Sequence, residues 1–230
     1  MSTVEVNIVR VFVDKNNKFG NPVGIVLDED CKLDDDQRQK VAASLNFSET
    51  VFIDKLEEIP KLSIFNPQEK VRFAGHAVLG VVSFINRDLG KNINKVSCSG
   101  ETVESTKDKN IMYIKAPLPI MPNWNFEELL SPRLVENISK EDASNKKHTF
   151  VWSWIDEQKS LIRARTFAPD WGIPEDQANG SGSMLLTSRL NKNLEIHHGE
   201  GSIIFARPVD KNFAEVGGLV SSVSKRELVL

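Results

Sequence analysis

FNPQEKVRFAGHAVLG, residues Phe65 to Gly80, runs from a polar loop into a helix that is apolar on every side, and the rest of the chain is read outward from it. After Gly75 and His76 come Ala77, Val78, Leu79, Gly80, Val81, Val82, Ser83, Phe84 and Ile85, with Asp88 and Gly90 marking the stop. A helix without a polar stripe is buried all round. Its first turn carries amide N–H groups with no intrahelical acceptor, and Gly75 lets a ligand approach the backbone closely. Together these features make an anion site. The same grammar recurs from Phe167 to Leu190, FAPDWGIPEDQANGSGSMLLTSRL. There Phe167 and Pro169 answer Phe65 and Pro67, and Gly180, Ser181 and Gly182 lead into Met184, Leu185, Leu186 and Leu190. Phe65 to Gly75 is ten positions and Phe167 to Gly180 is thirteen, so the duplication is structural and not a strict repeat. Two buried helices whose N-termini face one cleft suit a small acidic ligand held between two half-chains.

The chain has 230 residues, 40% hydrophobic and 27% charged, enough for one large domain or two small ones with a core in each half. A net charge of -3 gives no general attraction for nucleic acid or an anionic membrane, so anion binding has to come from a local site. MSTVEVNIVRVFV carries Glu5 and Arg10 within its apolar alternation, which is neither a signal nor a transit peptide. No window reaches the apolar length of a bilayer span, and the expected compartment is the cytoplasm. Cys31 and Cys98 show no CxxC spacing and read as reduced thiols.

In order, Val4, Val6 and Ile8, then Val11 and Val13, alternate as a strand with a register break near Ile8 and Val9. Gly20, Asn21 and Pro22 turn the chain into a second strand, Val23 to Leu27. Asp34 and Gln37 form a capping box that predicts a helix over 35–46, which makes Asp34, Asp35 and Asp36 a helix start and not a metal site. Strands are expected at Val51–Ile53 and Leu62–Phe65, and after the buried helix at Val96–Cys98, Thr102–Ser105 and Ile111–Lys115. Pro117, Pro119 and Pro122 interrupt regular structure, which divides the chain into halves 1–117 and 118–230. In the second half we expect a short helix at Phe126–Leu130, a loop over Ser139–Lys147, a hairpin of Phe150–Ile155 with Leu161–Phe167, and a strand pair Leu194–His198 and Ser202–Phe205. One or two closing strands follow Gly217 and Gly218 and run to Leu230. His148, His197 and His198 lack ligand spacing, Trp152 and Trp154 read as core or interface aromatics, and Trp171 stands inside the second loop. The glycines form no dinucleotide or phosphate-loop fingerprint, and neither a cofactor nor a metal is expected.

The motifs Asn21-Pro22, Ser48-Glu49-Thr50, Gly75-His76-Ala77 and Glu175-Asp176 followed by Gly180-Ser181, in this order, resemble the PhzF-like phenazine biosynthesis family, which has the diaminopimelate epimerase fold. The resemblance covers nearly the whole chain. It implies an α/β (α+β) architecture of two pseudo-symmetric halves, each a curled sheet or open barrel around a central buried helix. It also implies a cofactor-independent isomerase acting on a small carboxylic acid in the interdomain cleft, and a homodimer. Carried over position by position, the proton-transferring glutamate falls on Glu49, the glycine, histidine and alanine of the first loop on Gly75, His76 and Ala77, the second acid on Asp176, and the carboxylate-binding turn on Gly180 and Ser181.

Moving a proton next to a carboxylate needs one group that takes and returns the proton, and N–H donors that hold the acid as charge spreads into it. A partly buried glutamate meets the first need. The two-thiol epimerases of this fold place a cysteine before each glycine loop; the aligned residues here are Ala74 and Asn179, neither of which transfers a proton. The chain departs from the family pattern at Asn66, Lys70, Arg72, Gln177, Asn179 and Gly182. The alternative from another class is a non-catalytic small-carboxylate binding module on the same fold. A Glu49 inside the cleft favours the enzyme, and one turned to solvent favours the module.

Overall fold

The computed structural model describes residues 3–229. The elements in order are β1 (Thr3–Val13), β2 (Asn21–Leu27), α1 (Asp35–Leu45), β3 (Glu49–Lys55), β4 (Lys61–Phe65), β5 (Lys70–Val71), α2 (Gly75–Arg87), β6 (Lys95–Cys98), β7 (Glu101–Asp108) and β8 (Ile111–Pro117). They continue with β9 (Asn125–Glu128), α3 (Pro132–Glu136), α4 (Lys140–Ser144), β10 (Thr149–Asp156), β11 (Leu161–Ala168), β12 (Ile173–Asp176), α5 (Gly180–Leu190), β13 (Leu194–His198), β14 (Ser202–Pro208), β15 (Phe213–Val220) and β16 (Ser224–Val229). Pairing shows the duplication strand by strand. In the first half β2 runs parallel to β3 across α1, β3 antiparallel to β4, β4 parallel to β6 across α2, and β6, β7 and β8 form a meander. In the second, β9 runs parallel to β10 across α3 and α4, β10 antiparallel to β11, β11 parallel to β13 across α5, and β13, β14 and β15 form the answering meander. Even β5 on β4 and β12 on β11 correspond. The fold is mixed α+β with two pseudo-symmetric halves, each a curled sheet about one buried helix. The halves join edge to edge through β8 and β15 in one 16-stranded sheet, and β1 and β16 close its far end.

Burial makes the two central helices. Every residue of α2 from Gly75 to Val82 is buried, and nearly all of α5 from Gly180 to Thr187 is too. One core holds Val78, Leu79, Val82 and Phe84 of the first half together with Phe150, Met184, Leu186 and Ile196 of the second. Each such side chain contributes about 1.5–3 kcal/mol. Because α2 has no side-chain N-cap, packing holds its first turn in place. Gly80 is needed where β1 and β2 cross the helix, since a Cβ there would lie 3.0 Å from Val11 and 3.1 Å from Val9.

Three expectations are corrected. The alternation of β1 shifts at Ile8 and Val9 without any break in pairing: β2 pairs continuously from Asn7 to Val11. Both faces of the strand are covered, Val4 and Val6 by Val41, Ala42 and Leu45 of α1, and Val9 and Val11 by the main core. The true irregularity lies at Phe12, whose φ is +67° and where pairing with β15 shifts. Phe126–Glu128 of the expected helix Phe126–Leu130 lie in strand β9, because its neighbour β10 offers a parallel edge. The expected loop after Ser139 contains α4, started by the Ser139 hydroxyl accepting from the Asp142 N–H. The capping box of Asp34 and Gln37 is present as read, and the two closing strands are β15 and β16, with Leu230 outside the described residues.

Candidate active site

The cleft forms where α2 and α5 meet end to end. Gly75 and Gly180 are their first residues, and a side chain on either would press on the other helix: a Cβ on Gly75 would sit 3.3 Å from the Gly180 carbonyl carbon, and one on Gly180 would sit 3.0 Å from the His76 nitrogen. The two rows of first-turn N–H groups therefore start side by side, and the positive ends of both helix dipoles meet there. A cavity of about 110 Å³ opens at this junction. That is room for several waters, at roughly 10–15 Å³ each by the same measure, or for a small molecule.

Glu49 opens β3, the strand that follows α1, and its side chain enters this cavity. Its Oε2 lies 3.0 Å from Nε2 of His76, the second residue of α2. Both atoms are buried, and neither has an aligned hydrogen-bond partner among the described residues. Burial disfavours charge on each. It raises the Glu49 carboxyl well above its ordinary range, with the nearby Asp176 carboxylate adding to the effect. It pushes His76 down to about 3, so the imidazole is neutral at physiological pH. A carboxyl raised above its ordinary range, beside a neutral ring, has the chemistry to take and return a proton.

Asp176, at the end of β12, is buried and pushed up to about 6 by that burial; hydrogen bonds from Asn179, the Ala178 N–H, Ser48 and Asn21 oppose the shift. The Asn179 amide donates to Oδ2 at 2.8 Å, the Ala178 N–H to Oδ1 at 3.2 Å, and the Asn21 amide also to Oδ1. Asn21 comes from β2, so the acid of the second half is gripped by the first. Asn179 serves twice, because its Oδ1 caps α5 by accepting from the Gly182 N–H. The Trp124 indole donates to the Ser181 Oγ at 2.9 Å, and Trp124 meets Trp171 edge-on at 4.8 Å to wall the cavity. The structure thus brings Glu49, Gly75, His76, Asp176, Gly180 and Ser181 together around one space, while Ala77 lies one residue deeper in α2, fully buried and outside the lining. The sequence motifs include Asn21 and Ser48, and Asn179 stands among the departures, but the sequence reading gives none of them a place in the site and does not single out Trp124. The helix-cap pattern before Gly180 marks Asn179; nothing local marks Trp124.

Residues 9–128 match the profile of the PhzC-PhzF family, described as phenazine biosynthesis-like protein. The chain belongs to this family. A phenazine biosynthesis-like domain-containing protein of Bos taurus is 26% identical over 76% of this chain and 79% of its own length. The trans-2,3-dihydro-3-hydroxyanthranilate isomerase of Pseudomonas aeruginosa is 25% identical over 79% of this chain and 78% of its own. A solved PhzF-family structure from Enterococcus faecalis superposes with a TM-score of 0.77 at 20% identity, covering 100% of both chains.

Several departures from the usual PhzF pattern have structural reasons. Asn66 shapes the first loop, its Oδ1 accepting from the N–H groups of Gln68 (2.8 Å) and Glu69 (2.7 Å). Gly182 leaves space for the Phe150 ring, which a Cβ would meet at 2.6 Å. Lys70 turns outward to Asp35 at 3.2 Å, and Arg72 is exposed; neither lines the cavity. Trp152 is core, whereas Trp171 walls the cleft. Ala74 and Asn179 stand as the N-caps of α2 and α5, and Cys31 and Cys98 are outside the lining. No described helix is long and apolar enough to cross a membrane.

Proposed function

We propose that this chain is a cofactor-independent isomerase in which Glu49 removes a proton from a carbon near the carboxylate of a small acid and returns it to another carbon of the same molecule. The observation that carries the reading is the Glu49 Oε2–His76 Nε2 pair, 3.0 Å apart, buried and without aligned partners, beside the joined helix ends. The first-turn N–H groups of α2 and α5, with Ser181, hold the carboxylate as negative charge spreads into it. His76, neutral, orients the Glu49 carboxyl, and Asp176 faces the same space from the second half. The isomerase named among the relatives acts on a small carboxylic acid, which supports this class of substrate. Glu49 inside the cleft supports an enzyme over a binding module. The working units are the halves 1–117 and 118–230, paired with a second copy as a cytoplasmic homodimer.

The test is proton NMR in D₂O with a panel of small amino, hydroxy and unsaturated carboxylic acids. Deuterium is expected at a carbon adjacent to the carboxylate or conjugated with it in the wild type. Glu49→Gln should slow this exchange by roughly 10²–10⁴, the contribution of a positioned acid/base. Turnover within a few-fold of wild type would remove Glu49 from the role.

A further inference from the structure

Ser181 and Ser183 begin α5 two residues apart, yet they use their hydroxyls differently. Ser183 Oγ donates to the Asn179 carbonyl four residues back, at 2.6 Å. The carbonyl four residues behind Ser181 belongs to Gln177, and it is already engaged by His198 Nδ1 at 3.1 Å and the Ser202 hydroxyl at 3.2 Å. Ser181 instead accepts from the Trp124 indole at 2.9 Å. An indole N–H only donates, so the Ser181 hydrogen is turned away from Trp124, and no described residue receives it. The side chain is buried and lines the cavity. Trp124 is itself held in place: Trp171 packs edge-on against it, and His148 stacks on Trp171 at 4.8 Å with Nδ1 2.7 Å from Asp170.

We propose that Trp124 is a positioning residue that fixes the Ser181 hydroxyl as a donor into the cavity, so that the site selects a carboxylate over its neutral isostere. This rests on the reading of the cavity as an acid-binding site. A lone serine hydroxyl rotates to donate or to accept and recognises amide and acid alike. With one lone pair taken by the indole, the hydroxyl turns its hydrogen into the cavity, where the strongest partner is an oxygen bearing negative charge. Trp124 lies in the segment that joins the two halves, so the same residue that covers the cleft also sets its charge preference.

Calorimetric titration with benzoate and benzamide, two flat ligands of nearly equal shape, tests this in the wild type, Trp124→Phe, Ser181→Ala, the double variant and Trp171→Phe. The wild type should prefer benzoate. Trp124→Phe keeps a ring but removes the N–H; it should weaken benzoate roughly five- to tenfold while leaving benzamide within about twofold, and the double variant should be no weaker than Ser181→Ala alone. Trp171→Phe, which changes the wall without touching the N–H, should affect both ligands alike. An unchanged benzoate-to-benzamide ratio in Trp124→Phe, or additive losses in the double variant, overturns the role of Trp124 and leaves the proposed function standing. No preference for benzoate in the wild type, including absence of heat with either ligand, overturns the acid-binding reading itself and this inference with it.

Discussion

His198 shows how a buried side chain can have its proton placed by its neighbours. Its Nδ1 faces the Gln177 carbonyl, which only accepts, so Nδ1 carries the hydrogen and Nε2 accepts from the Thr166 hydroxyl at 2.8 Å. Burial pushes its pKa down to about 3, as it does for His76. The folded protein therefore binds fewer protons at the two rings than the unfolded chain between pH 6.5 and 3, and each ring withdraws stability as pH falls, by up to about 1.4 kcal/mol per unit. Asp176, raised to about 6, and Glu49, raised well above 4.5, act in the opposite sense: the folded state holds their protons where the unfolded state has lost them. Below about pH 4 only the two rings still act, so stability should drop steeply there, while above pH 4.5 Glu49 works against the rings. Glu49→Gln removes one counterweight, so its urea midpoint should already decline between pH 6 and 5; a decline matching the wild type would contradict the raised carboxyl. Glu49 was legible in the sequence through the Ser48-Glu49-Thr50 motif. Its surroundings were not, because Asn21 and Asp176 lie 155 positions apart and nothing local announces their bond.

At the scale of elements, the two glycine-headed helices separate structural from functional effects. Leu79→Ala empties part of the core around α2 and should cost about 2–5 kcal/mol in chemical denaturation. Asn179→Ala removes the α5 cap, about 1 kcal/mol, and also deprives Asp176 of a donor, so activity should fall further than that loss implies. Gly180→Ala presses a methyl group against the His76 backbone at 3.0 Å; we expect about 1–3 kcal/mol of destabilisation with turnover down at least tenfold, because the two N-termini must separate. Turnover equal to wild type would show that their close approach is dispensable. These helices were readable because an unbroken apolar run has one stable setting, complete burial. β9 was not, since Phe126, Glu127 and Glu128 carry no period of their own and become a strand only on the edge of β10. α3 had its signal, Ser131 ahead of Pro132 at the first helical position.

For the whole molecule, the sheet that runs through β8 and β15 and the core shared by α2 and α5 make the halves mechanically inseparable even though each repeats the other's topology. Calorimetry should show one transition, with van't Hoff and calorimetric enthalpies in agreement; two resolved transitions would mean that the shared edge and core do not couple the halves. The duplication was visible in the sequence as two matching loops, while the shared edge was not, because strand neighbours across halves are chosen by tertiary packing. One further consequence follows from the cavity lining, which includes Glu49, Glu69 and Asp176 but no lysine or arginine. On the function proposed above, an acid reaching this lining in a protein of net charge -3 would meet no cationic side chain there and would be held by oriented amide dipoles. Capture therefore depends on fit after arrival and not on attraction from a distance, so raising ionic strength, which weakens binding in arginine-lined sites, should not slow association or weaken binding in this one.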